Sequence, residues 1–123
     1  MPAVSSSSNA SQLASLSTES ASGTASQLTG SSDGTGISAR FNTPMGITTD
    51  GTNLYVVDSK NHTIRKVVIS SGVVTTLAGS AGNSGTTNAA GTSARFYGPT
   101  GLTTEGANIY IADRNNHTIR KIQ

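Results

Sequence analysis

Apolar residues in this chain fall into short runs that end at glycine, asparagine, aspartate or serine. The runs are rich in β-branched and aromatic side chains, which favour extended backbone on a half-buried, pleated surface. Between two of them lies Asp50-Gly51, a dipeptide that suits a tight hairpin because glycine accepts a positive φ. We therefore predict an antiparallel sheet of four strands, named a to d in chain order: residues 46–49, 53–57, 63–69 and 73–78.

Both faces of this sheet are predicted to be buried. A sheet with one solvated face shows alternating apolar and polar residues, whereas Val56-Val57 and Val67-Val68-Ile69 place apolar side chains on both faces. Such a sheet needs a packing partner on each side.

The whole pattern occurs twice. Residues 39–68 return as residues 94–123, a spacing of 55 residues, and 17 of the 30 paired positions are identical. A unit that recurs at a fixed period is typical of folds in which neighbouring units cover each other's apolar faces. A four-stranded sheet with two covered faces, repeated in tandem, indicates the blades of an all-β propeller.

Composition supports a thin or shared core. Of the 123 residues, 33% are hydrophobic and 11% are charged, and tryptophan and cysteine are absent, so a large core within one chain is not expected. The net charge of +2 is too small to indicate a polyanion partner without clustering. No stretch approaches the roughly 20 apolar residues of a membrane helix, so no membrane partner is expected.

The first residues differ in kind from the rest. Residues 1–24 are dominated by serine, threonine, alanine and glycine, which predicts a flexible leader. Gln27-Leu28-Thr29-Gly30 resembles Thr76-Leu77-Ala78-Gly79, so residues 25–29 are predicted to form an outer strand of type d. The predicted division is a leader (1–24), an outer strand with the first blade (25–78), and a second blade without its own outer strand (79–123).

This order of strands predicts self-assembly. The chain reads d, abc, d, abc, so the strand missing from the second blade is the one present at the N-terminus. Propellers close with about 4 to 8 blades, and about three repeats are the minimum for stability. We expect each N-terminal strand to complete the last blade of a neighbouring copy, with three copies and six blades favoured. A piece of a longer array and a self-sufficient monomer are the alternatives.

The recurring residues also resemble a known family. The segments ARFNTPMGITTDGTNLYVVDSKNHTIRKV and ARFYGPTGLTTEGANIYIADRNNHTIRKI are similar to NHL repeats, named after an Asn-His-Leu triplet at the start of the third strand. Here the triplets are Asn61-His62-Thr63 and Asn116-His117-Thr118, so the last letter departs while the flanking aspartate, isoleucine and arginine fit. The resemblance covers residues 30–123 and implies a β-propeller.

The resemblance leaves the activity open, because NHL propellers include amidating lyases, RNA-binding domains and bacterial surface proteins. We expect a non-enzymatic scaffold or binding module, without a cofactor, for an unidentified protein or glycan ligand. The resemblance and the Ser/Thr-rich leader favour an extracellular or cell-surface location in a bacterium. A catalytic propeller with an axial metal and an RNA-binding propeller are the alternatives.

The two histidines are the first candidates for chemistry. His62 and His117 follow Asp58 and Asp113 by four residues, a pattern that could serve a metal site or an acid–base pair. Both pairs hold equivalent places in the turn between strands b and c, which favours a structural role. The carboxylate is expected to accept backbone N–H groups of the turn, and the imidazole to fasten the hairpin.

A set of repeated residues is expected to hold the fold. The arginine of each ARF triplet is predicted to pair with the aspartate that ends strand b, and the phenylalanine to wedge between blades. The signature residues are Arg40, Phe41, Asp58, Asn61, His62, Arg95, Phe96, Asp113, Asn116 and His117.

Two further segments are candidates for ion binding. Arg65-Lys66 and Arg120-Lys121 carry the only dense positive charge and could hold phosphates or anionic glycans, although the near-neutral whole disfavours nucleic acid. Asp33-Gly34-Thr35-Gly36 has the look of a calcium loop but lacks further carboxylates, so turn formation is the favoured interpretation.

Overall fold

The computed structural model of the chain describes residues 29–123. The predicted leader (1–24) lies outside these residues, as does the predicted strand 25–29 except for Thr29. The described part is all-β and contains no α-helix, only short 3-10 turns between strands. Nothing in it is a helix of the length and apolarity that a membrane crossing requires.

Eight strands form two antiparallel sheets. In the first sheet the spatial order is β1-β5-β4-β3-β2, and in the second it is β6-β7-β8. The strands of the first sheet are β1 (Gly34–Thr35), β2 (Pro44–Thr49), β3 (Asn53–Asp58), β4 (Thr63–Val68) and β5 (Val73–Gly79). Those of the second are β6 (Gly101–Glu105), β7 (Asn108–Asp113) and β8 (Thr118–Ile122).

The predicted strands a to d are confirmed as β2 to β5, and their repeated counterparts as β6 to β8. The short strand β1 was not predicted: its two residues pair with Val73 and Val74 at the outer edge of β5. Since Gly34 and Thr35 carry almost no side-chain signal, nothing in their own sequence marks them as a strand.

The two sheets share one buried core. Val57 and Ile64 of the first sheet pack in a single apolar cluster with Phe96, Ile109 and Ile111 of the second repeat. The opposite face of the first sheet carries a second cluster, made of Ala39, Phe41, Val56, Val67 and Val74. Each face of the first sheet therefore carries a buried apolar cluster, and Phe96 lies between the sheets as expected of a wedge. The prediction of two buried faces holds for β3 to β5, whereas Met45 and Ile47 of β2 are 52% and 62% exposed.

Strands β2 and β6 lie side by side where the two sheets meet. A Cβ on Gly46 would lie 3.1 Å from the carbonyl oxygen of Thr100 and 3.3 Å from the Cα of Gly101. The hydroxyls of Thr48 and Thr104 are 3.2 Å apart, within hydrogen-bond distance. A side chain at position 46 would require β6 to move by a few tenths of an ångström, so glycine suits this close approach of the strands.

The segment before β1 corrects one part of the sequence alignment. Gly30 donates its N–H to the carbonyl of Phe41 at 3.1 Å, as Gly85 does to Phe96 at 3.0 Å. Its carbonyl also accepts from Asn61, as that of Gly85 accepts from Asn116. Gly30 is therefore the counterpart of Gly85, and its alignment with Gly79 is wrong. Thr29 forms an isolated parallel bridge with Phe41, and the strand predicted at residues 25–29 stays a prediction.

Asp50 closes the hairpin between β2 and β3. Its Oδ1 accepts from the N–H groups of Thr52 at 2.9 Å and Asn53 at 2.8 Å, and its Oδ2 accepts from the Tyr55 hydroxyl at 2.8 Å. The hydrogen bond from Asn53, followed by those from Thr52 and Tyr55, lowers the pKa of Asp50 to about 2. Hydrogen-bond donors that favour the ionised carboxylate thus hold the turn.

We predict that acid weakens this hairpin in a defined range. Because the pKa of Asp50 is lowered to about 2 from 3.8, its contribution to stability is present above pH 4 and is lost as the pH falls towards 2. Thermal melts between pH 2 and 5 should show a smaller loss of melting temperature in Asp50→Asn than in the unchanged chain. Parallel losses in both proteins would contradict this role of the carboxylate.

A second prediction concerns the end of β5. Gly79 has φ +86, and a Cβ there would overlap the carbonyl oxygen of His62, whereas Gly82 has φ +79 and open space around it. Both substitutions by alanine cost about 1 kcal/mol of backbone strain. Only Gly79→Ala also meets the clash, so we expect it to lower the free energy of unfolding by about 2 kcal/mol more than Gly82→Ala. Urea denaturation at one protein concentration measures the difference.

Candidate functional site

An aspartate at the end of β3 organises each repeat. Asp58 Oδ1 accepts the backbone N–H of Asn42 at 2.8 Å, and its Oδ2 accepts from Asn61 Nδ2 at 2.7 Å and from Arg65 at 2.9 Å. Arg65 pairs across the hairpin with Val56, two residues before Asp58, so both side chains project from the same face of the sheet. This buried cluster of Asp58, Asn61 and Arg65 is called the aspartate node.

Arg65 extends the node to the segment that precedes the sheet. One of its terminal nitrogens donates to Asp33 Oδ1 at 2.9 Å, and the other to the carbonyl of Arg40 at 2.7 Å. Its guanidinium also lies over the Phe41 ring, 4.7 Å from the ring centroid. Asp33 in turn accepts from the hydroxyl of Thr76 in β5 at 3.0 Å. The node therefore ties the outer strand, the preceding loop and the hairpin together.

The second repeat builds the same node with one change. Arg120 donates to Asp113 at 2.8 Å and lies 4.8 Å from the centroid of the Phe96 ring. In place of Asp33 it meets the side-chain oxygen of Asn88, also at 2.8 Å. The outer arm of the second node is thus neutral where that of the first is charged.

Burial sets the protonation chemistry of the node. Burial raises the pKa of the Asp58 carboxyl, while the hydrogen bonds from Asn61 and Asn42 and the positive charge of Arg65 lower it. We expect the ionised form at neutral pH because three donors, one of them the Arg65 guanidinium, surround the two oxygens. Since those donors occupy both oxygens, the carboxylate is not placed to act as a base on a ligand.

The predicted ion pairs of Arg40 and Arg95 with the aspartates that end strand b are wrong. Arg40 donates to the carbonyls of Ile37 and Ala39, and Arg95 donates to backbone carbonyls in the same way. Neither forms an ion pair within residues 29–123. The partner of each aspartate is instead the arginine seven residues downstream. The spacing Asp-x6-Arg in both repeats was the available signal, because a four-residue turn brings those positions together across a hairpin.

The same ion pairs remove Arg65 and Arg120 from the candidate anion-binding residues. The Arg65 side chain is 1% exposed and bonds to two carboxylates, so it is not free to take an external anion. Arg120 is likewise paired with Asp113. Only Lys66 and Lys121 of these two dipeptides remain without a paired carboxylate in the part of the chain that the structure describes. Anion binding by these lysines stays a prediction.

His62 joins the two sheets. Its Nδ1 accepts the backbone N–H of Gly98 at 2.9 Å, and its ring lies 5.8 Å from that of Tyr97. The expectation that the imidazole fastens its own hairpin is therefore wrong, because the partner belongs to the second repeat. His117 is exposed, and its imidazole makes no hydrogen bond to any described residue.

Metal ligands do not cluster among residues 29–123, where no group of three His, Cys, Asp or Glu side chains could hold an ion. The loop at Asp33 is used for turn and strand contacts: Gly34 and Thr35 pair with β5, and the Asp33 carboxylate binds Arg65 and Thr76. These contacts agree with turn formation as the interpretation of this loop.

One face of the second sheet is not covered by any of residues 29–123. Ile119 is 73% exposed, although its counterpart Ile64 is fully buried against the second repeat. A Cβ on Gly101 would meet nothing within 4 Å, whereas its counterpart Gly46 is in tight contact with β6. Together with Ala112, the counterpart of Val57, these residues form what we call the open face: Gly101, Ala112 and Ile119.

The second sheet also has an uncovered edge. In the first sheet β5 lies between β4 and β1, but β8 has no outer neighbour among the described strands. A groove of about 290 Å³ separates residues 88–91 from residues 120–123, at the position that β5 fills in the first sheet. We call it the β8 groove.

Comparison with known proteins accounts for the repeated pattern. Residues 96–122 match the family model described as NHL repeat. The chain is 40% identical over 95 residues to NHL repeat-containing protein 2 of Homo sapiens, a match that covers 74% of this chain and 13% of that protein. The chain belongs to the NHL-repeat family. It spans a small part of the length of the curated relatives that it matches.

Solved structures agree with the NHL assignment and with a β-propeller fold. A Bacteroides thetaiotaomicron protein of unknown function is 32% identical with a TM-score of 0.73, covering 80% of this chain and 25% of that one. An auxiliary nutrient binding protein of the same organism is 30% identical with a TM-score of 0.65, covering 76% of this chain and 26% of that one.

We predict that substitution of Arg65 lowers the free energy of unfolding more than substitution of Arg40. Arg65→Met removes one partner of a buried ion pair and should lower the free energy of unfolding by about 3 kcal/mol or more. Arg40→Met loses only hydrogen bonds to backbone carbonyls and should cost about 1 kcal/mol. Chemical denaturation of both variants compares them, and a larger cost for Arg40→Met would restore the pairing predicted from the sequence.

Proposed function

We propose that this NHL chain is a non-enzymatic scaffold whose working form is a ring of several copies that binds another protein or a glycan. The observation that carries the proposal is the unfinished second sheet, with its β8 groove at the place of a missing outer strand. An edge with unpaired N–H and C=O groups is a site for strand addition, and proteins do not usually leave such an edge open.

The N-terminal segment of a neighbouring copy is the proposed occupant of the β8 groove. Three copies would supply six sheets, within the range of about 4 to 8 that closes a propeller.

A binding role agrees better than a catalytic one with the polar groups of the described residues. The buried carboxylates of Asp58 and Asp113 are engaged by side chains of their own repeats. The described strands β2 and β6, which would face the axis of a ring, offer mainly threonine hydroxyls and aliphatic side chains. A nutrient binding protein among the structural neighbours supports ligand binding in this fold.

Two further parts of the proposal concern the location of the protein and the class of its ligand. The Ser/Thr-rich leader and the Bacteroides neighbours favour a bacterial surface or extracellular location. The burial of Arg65 reduces the positive surface that an RNA ligand would need, which favours protein or glycan over nucleic acid.

The mass of the purified chain at micromolar concentration tests the assembly. We expect multi-angle light scattering or native mass spectrometry to give several copies, with three favoured, because residues 29–123 of a single copy leave the open face and the β8 groove uncovered. A folded monomer at this concentration would overturn the ring. Metal analysis after dialysis tests the non-enzymatic part: about one tightly bound metal ion per ring would favour the catalytic alternative.

A further inference from the structure

The contact between the two sheets of one chain is a template for contact between two chains. Within the chain, Gly46 lies tightly against β6, and His62 accepts a hydrogen bond from Gly98 N–H at 2.9 Å. The Thr48 and Thr104 hydroxyls meet at 3.2 Å. Because the two sheets share one sequence pattern at a spacing of 55 residues, each of these contacts has a counterpart on the outer sides of the pair.

The open face repeats the first half of the template. Gly101 stands where Gly46 does, and the surrounding space is empty to at least 4 Å from a built Cβ. His117 stands where His62 does, with a free and exposed imidazole. Ile119, 73% exposed, stands where buried Ile64 does. All three residues are in place for a partner that residues 29–123 do not supply.

The face of the first sheet that points away from the second sheet corresponds to the other half of this contact. We call this the leading face, defined by Thr43, Met45, Ile47 and Thr49, the counterparts of Gly98, Thr100, Leu102 and Thr104. Met45 and Ile47 are 52% and 62% exposed, although Leu102 packs against the buried core between the sheets. The aliphatic side chain of Ile47 is thus available to cover the open face of another copy.

The backbone of the leading face keeps the geometry that receives the histidine. Thr43 has φ 60 and Gly98 has φ 58, so both present the N–H from the same left-handed conformation. A β-branched residue rarely adopts this conformation because its side chain is crowded against the backbone. Thr43 nevertheless does so, and its N–H makes no hydrogen bond to any residue of the described chain.

We propose that the open face of one copy binds the leading face of a second copy, head to tail, in the register of the contact between β2 and β6. This deepens the assembly proposed above and rests on it. In the docked pair, Gly101 lies against Met45 and Ile47 of the second copy, and His117 Nδ1 accepts from Thr43 N–H. The Thr103 hydroxyl meets that of Thr49, as Thr48 meets Thr104 within the chain.

A second copy of this chain fits the open face better than an unrelated partner because complementarity already exists. The open face is a copy of a surface whose matching surface is known, and the leading face is a copy of that matching surface. Each chain carries one of each, so the contact is heterologous and can propagate until a ring closes.

Site-directed cross-linking tests the register, and the absence of cysteine from the chain makes the introduced thiols unique. Thr49→Cys and Thr103→Cys are prepared as separate proteins, mixed and mildly oxidised. We expect a covalent dimer on a non-reducing gel from the mixture and not from either protein alone. The double variant Thr48→Cys/Thr104→Cys is the geometric control. The hydroxyls of Thr48 and Thr104 lie 3.2 Å apart in the unchanged chain, so the two introduced thiols should form an intrachain disulfide.

The outcomes separate this proposal from the broader one. No dimer from the mixture, or a dimer from Thr103→Cys alone, overturns the head-to-tail register, the second result indicating two open faces packed together. If light scattering still gives several copies, the assembly stands and only the register fails. If it gives a monomer, both fail.

The variant Gly101→Val tests the same contact without cross-linking. Valine suits a strand, and the open space at Gly101 predicts an unchanged circular dichroism spectrum for the single chain. In the docked register the side chain would collide with β2 of the second copy, so we expect the dissociation constant to rise about tenfold or more. Tyr97→Asn, which installs the residue found at the counterpart Asn42, is the control and should leave the constant unchanged. Association of Gly101→Val as tight as that of the unchanged chain would overturn the proposal.

Discussion

A sheet that is apolar on both faces must be covered on both, and this constraint governs the whole chain. The second repeat covers one side of the first sheet, and the segment around Phe41 covers β3 to β5 on the other side, where Met45 and Ile47 of β2 stay exposed. Within residues 29–123 the second sheet is covered on one side only, and Ile119 is exposed while Ile64 is buried. Burial of a side chain of this size contributes about 1.5 to 3 kcal/mol, which makes the uncovered flank a source of binding free energy.

The aspartate node gives the sheets a unique arrangement at some cost in stability. Placing Asp58 and Arg65 in the interior removes both charges from water, and replacing such a pair with apolar side chains is often neutral or favourable. The pair connects three segments of the chain. Arg65 bonds to the hairpin and to the loop before the sheet, and through Asp33 it is linked to β5. An apolar substitute would fill the space but would not fix these three segments relative to one another.

Local pattern was enough to predict the strands, but not the contacts made across them. The runs around Tyr55, Val67 and Val74 have strong strand preference, and their observed bounds differ from the predicted ones by at most two residues. The partner of Asp58 was missed because Arg40 and Arg65 are chemically equal choices, and only the pairing of β3 with β4 decides between them. The role of His62 was missed because its partner, a backbone N–H at Gly98, leaves no side-chain signature in the sequence.

The equivalence of the two repeats also affects where a chain can begin and end. If the joint between sheets is the same inside a polypeptide and between polypeptides, then duplication or loss of one 55-residue unit in the gene changes subunit size without requiring any new surface. Rings with the same number of sheets could then be built from few long chains or many short ones. Variation of this kind is open to this chain because Gly46, which lies at the joint between the sheets, has a counterpart in Gly101 one repeat later.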